Sequence, residues 1–177
     1  MTDSSIEAIS PKAVAAALSR VRAQRPLVQC ITNDVVQEIT ANVLLAAGMS
    51  PAMVPAPEEA AAFAQFAADA LLCNVGTPSE ENSRGMKLAA ATMSEAGKPW
   101  TLDPVGAGGT AWRDDLISDL IDLRPTVIRG NGSEILACAG FAHQYKGVQP
   151  LGARRRQGAR PKIRRHRLRV RRNGLRD

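Results

Sequence analysis

The sequence KPWTLDPVGAGGT, residues 98–110, places a short apolar run directly before an Asp-Pro turn and a glycine-rich loop. Residues 100–103 have the length and composition of a buried strand, and a helical pattern follows over residues 112–123. Strand, glycine loop and helix in this order are typical of one unit of a parallel α/β sheet. The stretch therefore predicts the fold class, provided that the same unit recurs along the chain.

The unit does recur on both sides of this stretch. Strands are predicted at residues 27–31, 52–54, 70–74, 100–103 and 126–129, and helices at 11–24, 35–47, 57–68, 79–96, 112–123 and 133–139. Short strands that alternate with helices favour a mostly parallel sheet covered on both faces. In the helix over residues 35–47, one face is apolar and consists of Val35, Ile39, Val43 and Leu44.

The body of the chain and its C-terminal part differ in charge. Residues 1–150 contain 11 Lys and Arg against 16 Asp and Glu, a net of −5, whereas residues 151–177 contain 12 against 1, a net of +11. The body is long enough for one domain with a real core. Because the whole chain has only two Trp, one Tyr and three Phe, that core must consist of aliphatic side chains and methionine.

Cysteine spacing and hydropathy restrict the class of protein. Cys30, Cys73 and Cys138 form no C-x-x-C pair, and the chain contains two histidines, which argues against a zinc site or a disulfide framework. The first residues are polar, and no run of 18 apolar residues occurs. These features predict a soluble protein in a reducing, cytoplasmic location.

Candidate site residues follow the strands, where ligands of parallel sheets bind. Asp103 and the glycine-rich loop could hold a metal ion and phosphate, or form a tight turn. Arg129 could grip phosphate and Glu134 could orient a metal-bound water, or Arg129 could pair with Asp103 or Asp122 while Glu134 serves its helix start. Asn33 could bind a heterocycle or cap a helix, and Met53 could contact a ligand or lie in the core.

Taken together, the motifs resemble a known family. The segments CITNDVV (30–36), ANVLLAAGMSPAM (41–53), ADALLCNVGT (68–77), GKPWTLDPVGAGGTAWR (97–113) and VIRGNGSEI (127–135) are, in this order and spacing, similar to the hydroxyethylthiazole kinase family of thiamine salvage. The resemblance extends from Pro26 to Gly140. It implies a ribokinase-like α/β fold, a cytoplasmic homotrimer with sites between subunits, and ATP- and Mg²⁺-dependent phosphorylation of 4-methyl-5-(2-hydroxyethyl)thiazole on its hydroxyl.

The resemblance also assigns roles to residues of this sequence. Asn33, Val35 and Met53 correspond to contacts of the thiazole, and Arg129 and Asp103 to contacts of the ATP phosphates. Asp103 and Glu134 correspond to magnesium ligands. Asp34 stands where relatives often carry an aromatic residue, so ring stacking is not expected there.

Beyond Gly147 the sequence departs from the family pattern. The family continues with a helix, a strand and a Gly-Thr-Gly-Cys loop, whereas residues 148–177 are arginine-rich and show no apolar period. We therefore expect a partial kinase domain over residues 1–147, incomplete on its C-terminal side, with its catalytic loop residues unassigned and its kinase activity impaired or absent. Residues 148–177 are expected to be a basic tail without packed structure.

The tail has more than one explanation. Codons compatible with this tail, read one nucleotide out of register, can encode an amphipathic helix followed by an apolar strand, which favours a frameshift origin. The tail could instead be an arm for nucleic acid, although it lacks aromatic residues, so nonspecific binding through its charge is the expectation. For the chain as a whole, a non-catalytic binder of thiazole or nucleotide and a pyrimidine kinase of the same superfamily are competing hypotheses.

Overall fold

The computed structural model describes residues 10–140, and the structural statements below concern that range. The strands are β1 (Leu27–Ile31), β2 (Ser50–Met53), β3 (Ala70–Asn74), β4 (Trp100–Asp103) and β5 (Val127–Ile128). The helices are α1 (Pro11–Gln24), α2 (Gln37–Ala47), α3 (Pro57–Phe66), α4 (Glu80–Glu95), α5 (Ala111–Asp122) and α6 (Gly132–Cys138). The predicted domain end at residue 147 and the basic tail lie outside the described residues.

The strands form one parallel sheet in the order β2-β1-β3-β4-β5. The predicted α/β class with a parallel sheet is therefore confirmed. The chain leaves β1 toward β2 on one side and later returns to place β3 on the other side of β1. Loops that leave two neighbouring strands toward opposite sides open a crevice between them, and this sheet has that switch point between β1 and β3.

The main core covers one face of the sheet. Side chains of β3 and β4, including Leu71, Trp100 and Leu102, pack with the inner residues of α3, α4 and α5. Right-handed crossovers place these three helices on one face and α2 on the other, because the connection through α2 runs in the opposite direction along the sheet. Val28 and Cys30 point away from the main core and are also buried.

Element ends agree with the predictions to within about three residues, and the differences are local. Helix α2 begins at Gln37 because residues 34–36 form a turn closed by the side chain of Asn33. Strand β2 begins at Ser50 and includes Pro51, which an edge strand tolerates since one of its sides has no partner. Ser10, Ser79 and Thr110 cap α1, α4 and α5 through their side-chain oxygens.

The apolar face predicted for α2 is largely open in this chain. Val35 is 82% exposed, Ile39 59% and Val43 57%, and no residue of α2 is buried. Periodicity therefore identified the helix and its apolar stripe, but no element between residues 10 and 140 covers that stripe. None of the helices in this range has the length and hydropathy that crossing a membrane requires.

Candidate active site

A chain of hydrogen bonds runs across the carboxyl ends of four strands. Nδ2 of Asn33 donates to Oδ1 of Asn74 over 2.7 Å, and Nδ2 of Asn74 donates to Oδ2 of Asp103 over 2.9 Å. Nη1 of Arg129 donates to the same Oδ2 over 2.9 Å. These residues follow or end β1, β3, β4 and β5, which the parallel sheet places side by side. The chain crosses the switch point between Asn33 and Asn74.

The carboxylate of Asp103 is buried and only partly hydrogen-bonded. The residue is 7% exposed, and its Oδ1 has no hydrogen-bond partner among the described residues. Burial raises the pKa of Asp103 above its ordinary value, the charge of Arg129 opposes this, and the nearby charge of Glu134 adds to it. Oγ1 of Thr32, directly after β1, is a second buried atom at this edge without a partner among residues 10–140. A buried acceptor without a protein partner is a position where a bound water, donor or cation is expected.

The donor set fits Mg²⁺ held together with phosphate. Mg²⁺ commonly uses one or two protein carboxylates, with phosphate and water oxygens filling its remaining positions. Asp103 offers a free oxygen, and Glu134 is the second carboxylate near it. No group of three or more metal-binding side chains occurs between residues 10 and 140, so a site built only from protein ligands is not formed there.

The glycine-rich loop is a closed turn in this structure. The N–H of Gly108 donates to Oδ1 of Asp114 over 2.7 Å, and that of Gly109 donates to the carbonyl of Gly106. The N–H of Gly106 points to Oε1 of Glu134 at 3.4 Å, a long hydrogen bond. Gly106 and Gly108 have positive φ angles, which glycine adopts without strain. The loop therefore favours the tight-turn interpretation, and the Gly106 amide is the one most easily released to a ligand.

Glu134 also has the structural role that its position at a helix start suggested. Its Oε2 accepts from the N–H of Asn131 over 2.8 Å, while Oδ1 of Asn131 accepts from the N–H of Glu134 over 3.0 Å. This reciprocal capping box holds the start of α6. Arg129 likewise forms the ion pair with Asp103 that the sequence suggested, yet its side chain is 72% exposed. Its guanidinium thus keeps donors available to an anion.

Two of the three residues that the resemblance assigns to the thiazole share one surface depression. A shallow depression of about 420 Å³ is lined by Asp34, Val35, Gln37, Glu38, Ala41 and Met53. Asn33 does not line it. Instead, Oδ1 of Asn33 accepts from the N–H groups of Val35 and Val36 over 3.0 and 3.1 Å, which holds the turn that carries Val35.

The chain is similar to known proteins in sequence and in structure. The family model for the hydroxyethylthiazole kinase family matches residues 18–165. The chain belongs to the hydroxyethylthiazole kinase family. It is 53% identical over 142 residues to a hydroxyethylthiazole kinase of Klebsiella pneumoniae subsp. pneumoniae, covering 80% of this chain and 55% of that protein. A hydroxyethylthiazole kinase of Rhizobium etli is 53% identical over 131 residues, covering 74% of this chain and 50% of its own length.

A solved structure supports the same assignment. The hydroxyethylthiazole kinase protein from Pyrococcus horikoshii OT3 superimposes with a TM-score of 0.70 and 44% identity, covering 73% of this chain and 50% of that one. The chain therefore spans about half the length of the hydroxyethylthiazole kinases to which it is similar.

Two residues of the candidate site emerged only from the structure. Nη1 of Arg113 lies 2.7–3.0 Å from the carbonyl oxygens of Val75, Gly76 and Val105, and so joins the loops after β3 and β4. An arginine in the first turn of a helix carries no sequence signal for that role. The side chain of Asn74 is the second such residue, because its partners Asn33 and Asp103 lie 41 and 29 residues away in sequence.

Proposed function

We propose that this chain forms the thiazole side, and one side of the phosphate site, of an enzyme that phosphorylates 4-methyl-5-(2-hydroxyethyl)thiazole on its hydroxyl with ATP and Mg²⁺. The observation that carries the proposal is the buried carboxylate of Asp103 at the carboxyl end of β4, whose Oδ1 has no hydrogen-bond partner among residues 10–140. Phosphoryl transfer depends mainly on positioning and charge neutralisation, which a carboxylate-held cation and an arginine can supply.

In this proposal each candidate residue has a separate task. Val35 and Met53 contact the apolar thiazole ring, and Asn33, which does not line the depression, acts on the ring through the turn that it holds. Arg129, with its exposed guanidinium, binds the ATP phosphates. Asp103 and Glu134 hold Mg²⁺, and Asp103 also faces the phosphates. Bound Mg²⁺ would neutralise charge on the transferred phosphoryl group.

The family resemblance also leads us to propose a homotrimer in the cytoplasm. The exposed apolar stripe of α2 supports the trimer, because a second copy would bury Val35, Ile39 and Val43 and complete the depression beside them. The cysteines at positions 30, 73 and 138 are free thiols, which agrees with a reducing compartment. Sedimentation velocity on the purified chain tests the trimer, and a purely monomeric protein would contradict it.

The tail is part of the same proposal. We propose that residues 148–177 arise from a change of reading frame and that they bind nucleic acid only through their charge. Sequencing the gene from the codon of Lys146 tests the origin, since stop codons early in the shifted frame would exclude it. A salt titration of nucleic-acid binding tests the second part, because nonspecific binding weakens steeply as salt increases.

We expect the 177-residue chain to bind the thiazole alcohol and to transfer little or no phosphate to it. Binding is expected because Val35 and Met53 share the depression, whereas weak transfer is expected because residues 148–177 do not contain the Gly-Thr-Gly-Cys loop that the family resemblance implies. Calorimetry with the thiazole alcohol, and separately with Mg²⁺-ATP, measures binding, and ³¹P NMR detects the product. No heat with the thiazole alcohol would contradict the proposal. Rapid phosphorylation would contradict the expected loss of activity while supporting the family chemistry.

A substitution in the depression tests the thiazole side directly. We expect Met53→Ala to weaken binding of the thiazole alcohol roughly tenfold or more, because removing apolar contacts from a pocket commonly has that effect. Met49→Ala is the matched control, since this methionine is close in sequence and does not line the depression. Calorimetry on both variants decides the point. Equal affinities for the two would place the thiazole elsewhere.

A further inference from the structure

We propose that Asn74 is a positioning residue whose single side-chain amide fixes both the turn at Asn33 and the carboxylate of Asp103. This inference rests on the proposed function, in which Asn33 belongs to the thiazole side of the site and Asp103 to the phosphate side. Its geometric part can be tested without either ligand.

The amide of Asn74 has only one orientation that satisfies its neighbours. Oδ1 accepts from Nδ2 of Asn33 over 2.7 Å and from the N–H of Gly76 over 3.0 Å, while Nδ2 donates to Oδ2 of Asp103 over 2.9 Å. Rotating the amide by half a turn would point its NH₂ group at two other donors, Nδ2 of Asn33 and the N–H of Gly76. It would also point its carbonyl oxygen at the carboxylate of Asp103. All three bonds therefore hold the same orientation.

This orientation passes to the turn through Asn33. With Nδ2 of Asn33 directed to Asn74, its Oδ1 is left to accept the N–H groups of Val35 and Val36. The backbone of Gly76 closes the other side, since a Cβ atom at Gly76 would lie 2.5–2.8 Å from Nδ2, Cγ and Cβ of Asn33. The Asn33 side chain is thus held between Asn74 and Gly76, and the position of Val35 depends on it.

Asn74 acts through other residues and not on a ligand. It is 8% exposed and does not line the depression that contains Val35 and Met53. It ends β3 at the switch point between β1 and β3, and its partners Asn33 and Asp103 lie at the ends of the two strands that flank β3. Of the residues in the described chain, it alone bonds to both Asn33 and Asp103 through one side chain.

Amide hydrogen exchange on the ligand-free 177-residue protein tests the inference. In Asn74→Leu, which is similar in size but makes no side-chain hydrogen bonds, we expect the Val35 N–H to exchange about tenfold faster, as expected for loss of one hydrogen bond. Val35 donates to Asn33 and not to Asn74, so its response reports lost positioning. The N–H of Asp34 in the same turn donates to Oγ1 of Thr77 and should keep its rate.

Two further variants keep the test decisive. Thr77→Val should reverse the pattern by speeding exchange at Asp34 alone. Gly76→Ala should displace Asn33 and speed exchange at Val35 with Asn74 still present. If Asn74→Leu does not fold, this variant tests whether the position of Asn33 controls the Val35 N–H. Faster exchange throughout the sheet would indicate only lost stability and would overturn the inference, as would an unchanged rate at Val35.

The ligands separate this inference from the proposed function. Faster exchange at Val35 without any binding of the thiazole alcohol to the unsubstituted protein would support the positioning role and contradict the function. Binding of the thiazole alcohol together with an unchanged Val35 exchange rate in both variants would support the proposed function and contradict the positioning role. If both hold, Asn74→Leu should also weaken binding of the thiazole alcohol about tenfold, because its turn is no longer held.

Discussion

Replacing Gly85 with alanine should destabilise the protein by about 2 kcal/mol, although alanine favours helix more than glycine does. Gly85 lies on the inner side of α4, where a Cβ atom would overlap the carbonyl oxygen of Pro55. That oxygen belongs to the backbone between β2 and α3, so it cannot move aside as a flexible side chain could. Overpacking of this kind costs about 3 kcal/mol, and the better helix propensity returns about 1.

Urea denaturation of the variant and of Gly132→Ala measures this effect. Gly132 begins α6, and no atom lies within 4 Å of a Cβ added there, so the control should differ little from the unsubstituted protein. A lower midpoint with an unchanged slope for Gly85→Ala alone is the expected result. If the two alanines have the same effect, α4 is free to move away from the loop and the close approach is not a constraint.

Replacing Asp103 with asparagine should make the protein more stable at pH 7 and remove its stabilisation by Mg²⁺-ATP. Burial raises the pKa of Asp103, so the ionised form costs stability in the folded protein. For an acid whose pKa is raised by folding, the folded state binds more protons, and stability falls as the pH rises from about 3.8 through the folded pKa. The neutral amide avoids this loss but cannot neutralise a cation.

Thermal unfolding at several pH values, with and without Mg²⁺-ATP, tests both parts. The difference in Tm between the two proteins should be largest at pH 7 and should shrink as the pH approaches 4. Asp119→Asn is the control, because Asp119 is an exposed carboxylate paired with Lys87 and is distant from the strand ends. A variant that is less stable at pH 7, or that Mg²⁺-ATP still stabilises, would contradict the role assigned to Asp103.

The combination of a stabilising substitution and a lost ligand response would be typical of a functional carboxylate. A charge kept in a buried position without full hydrogen bonding lowers stability, and groups of this kind are concentrated at sites of binding or catalysis. Trp100 offers a contrast on the same strand, because it is buried with its indole Nε1 donating to Ser94. The polar atom of the Trp100 side chain thus has a hydrogen-bond partner, whereas Oδ1 of Asp103 has none among residues 10–140.

The central strands could be predicted residue by residue from the sequence. β1, β3 and β4 have the bounds expected from their apolar runs, because strands with neighbours on both sides are buried on both faces. The edge strands β2 and β5 differ from the expected bounds, since each has one neighbour and a weaker apolar run. The helix α2 was predictable from its period, but not its exposed stripe, because periodicity does not say what covers a face.

The candidate site divides in the same way. We could recognise Asp103, Arg129 and Glu134 from the sequence because they end or follow strands. In the structure Arg129 and Glu134 also have structural roles, but the guanidinium of Arg129 stays exposed and the carboxylate of Glu134 stays near Asp103. Arg113 could not be recognised, because its carbonyl partners at Val75 and Gly76 are nearly forty residues away in sequence. Contacts between residues so far apart in sequence depend on the order of the strands in the sheet, which the local sequence pattern does not predict.

The sequence by itself determined the α/β class, the family and the polar residues that end each strand, because these depend on local runs of residue types. Only the tertiary structure decided that Asn33, Asn74, Asp103 and Arg129 form one hydrogen-bonded chain. The reason is the reversal at β1, which places β3 beside it and joins side chains 41 residues apart. The strand, turn and glycine-rich loop of residues 98–110 indicated the fold, and the sheet order placed Asp103 beside Asn74 and Arg129.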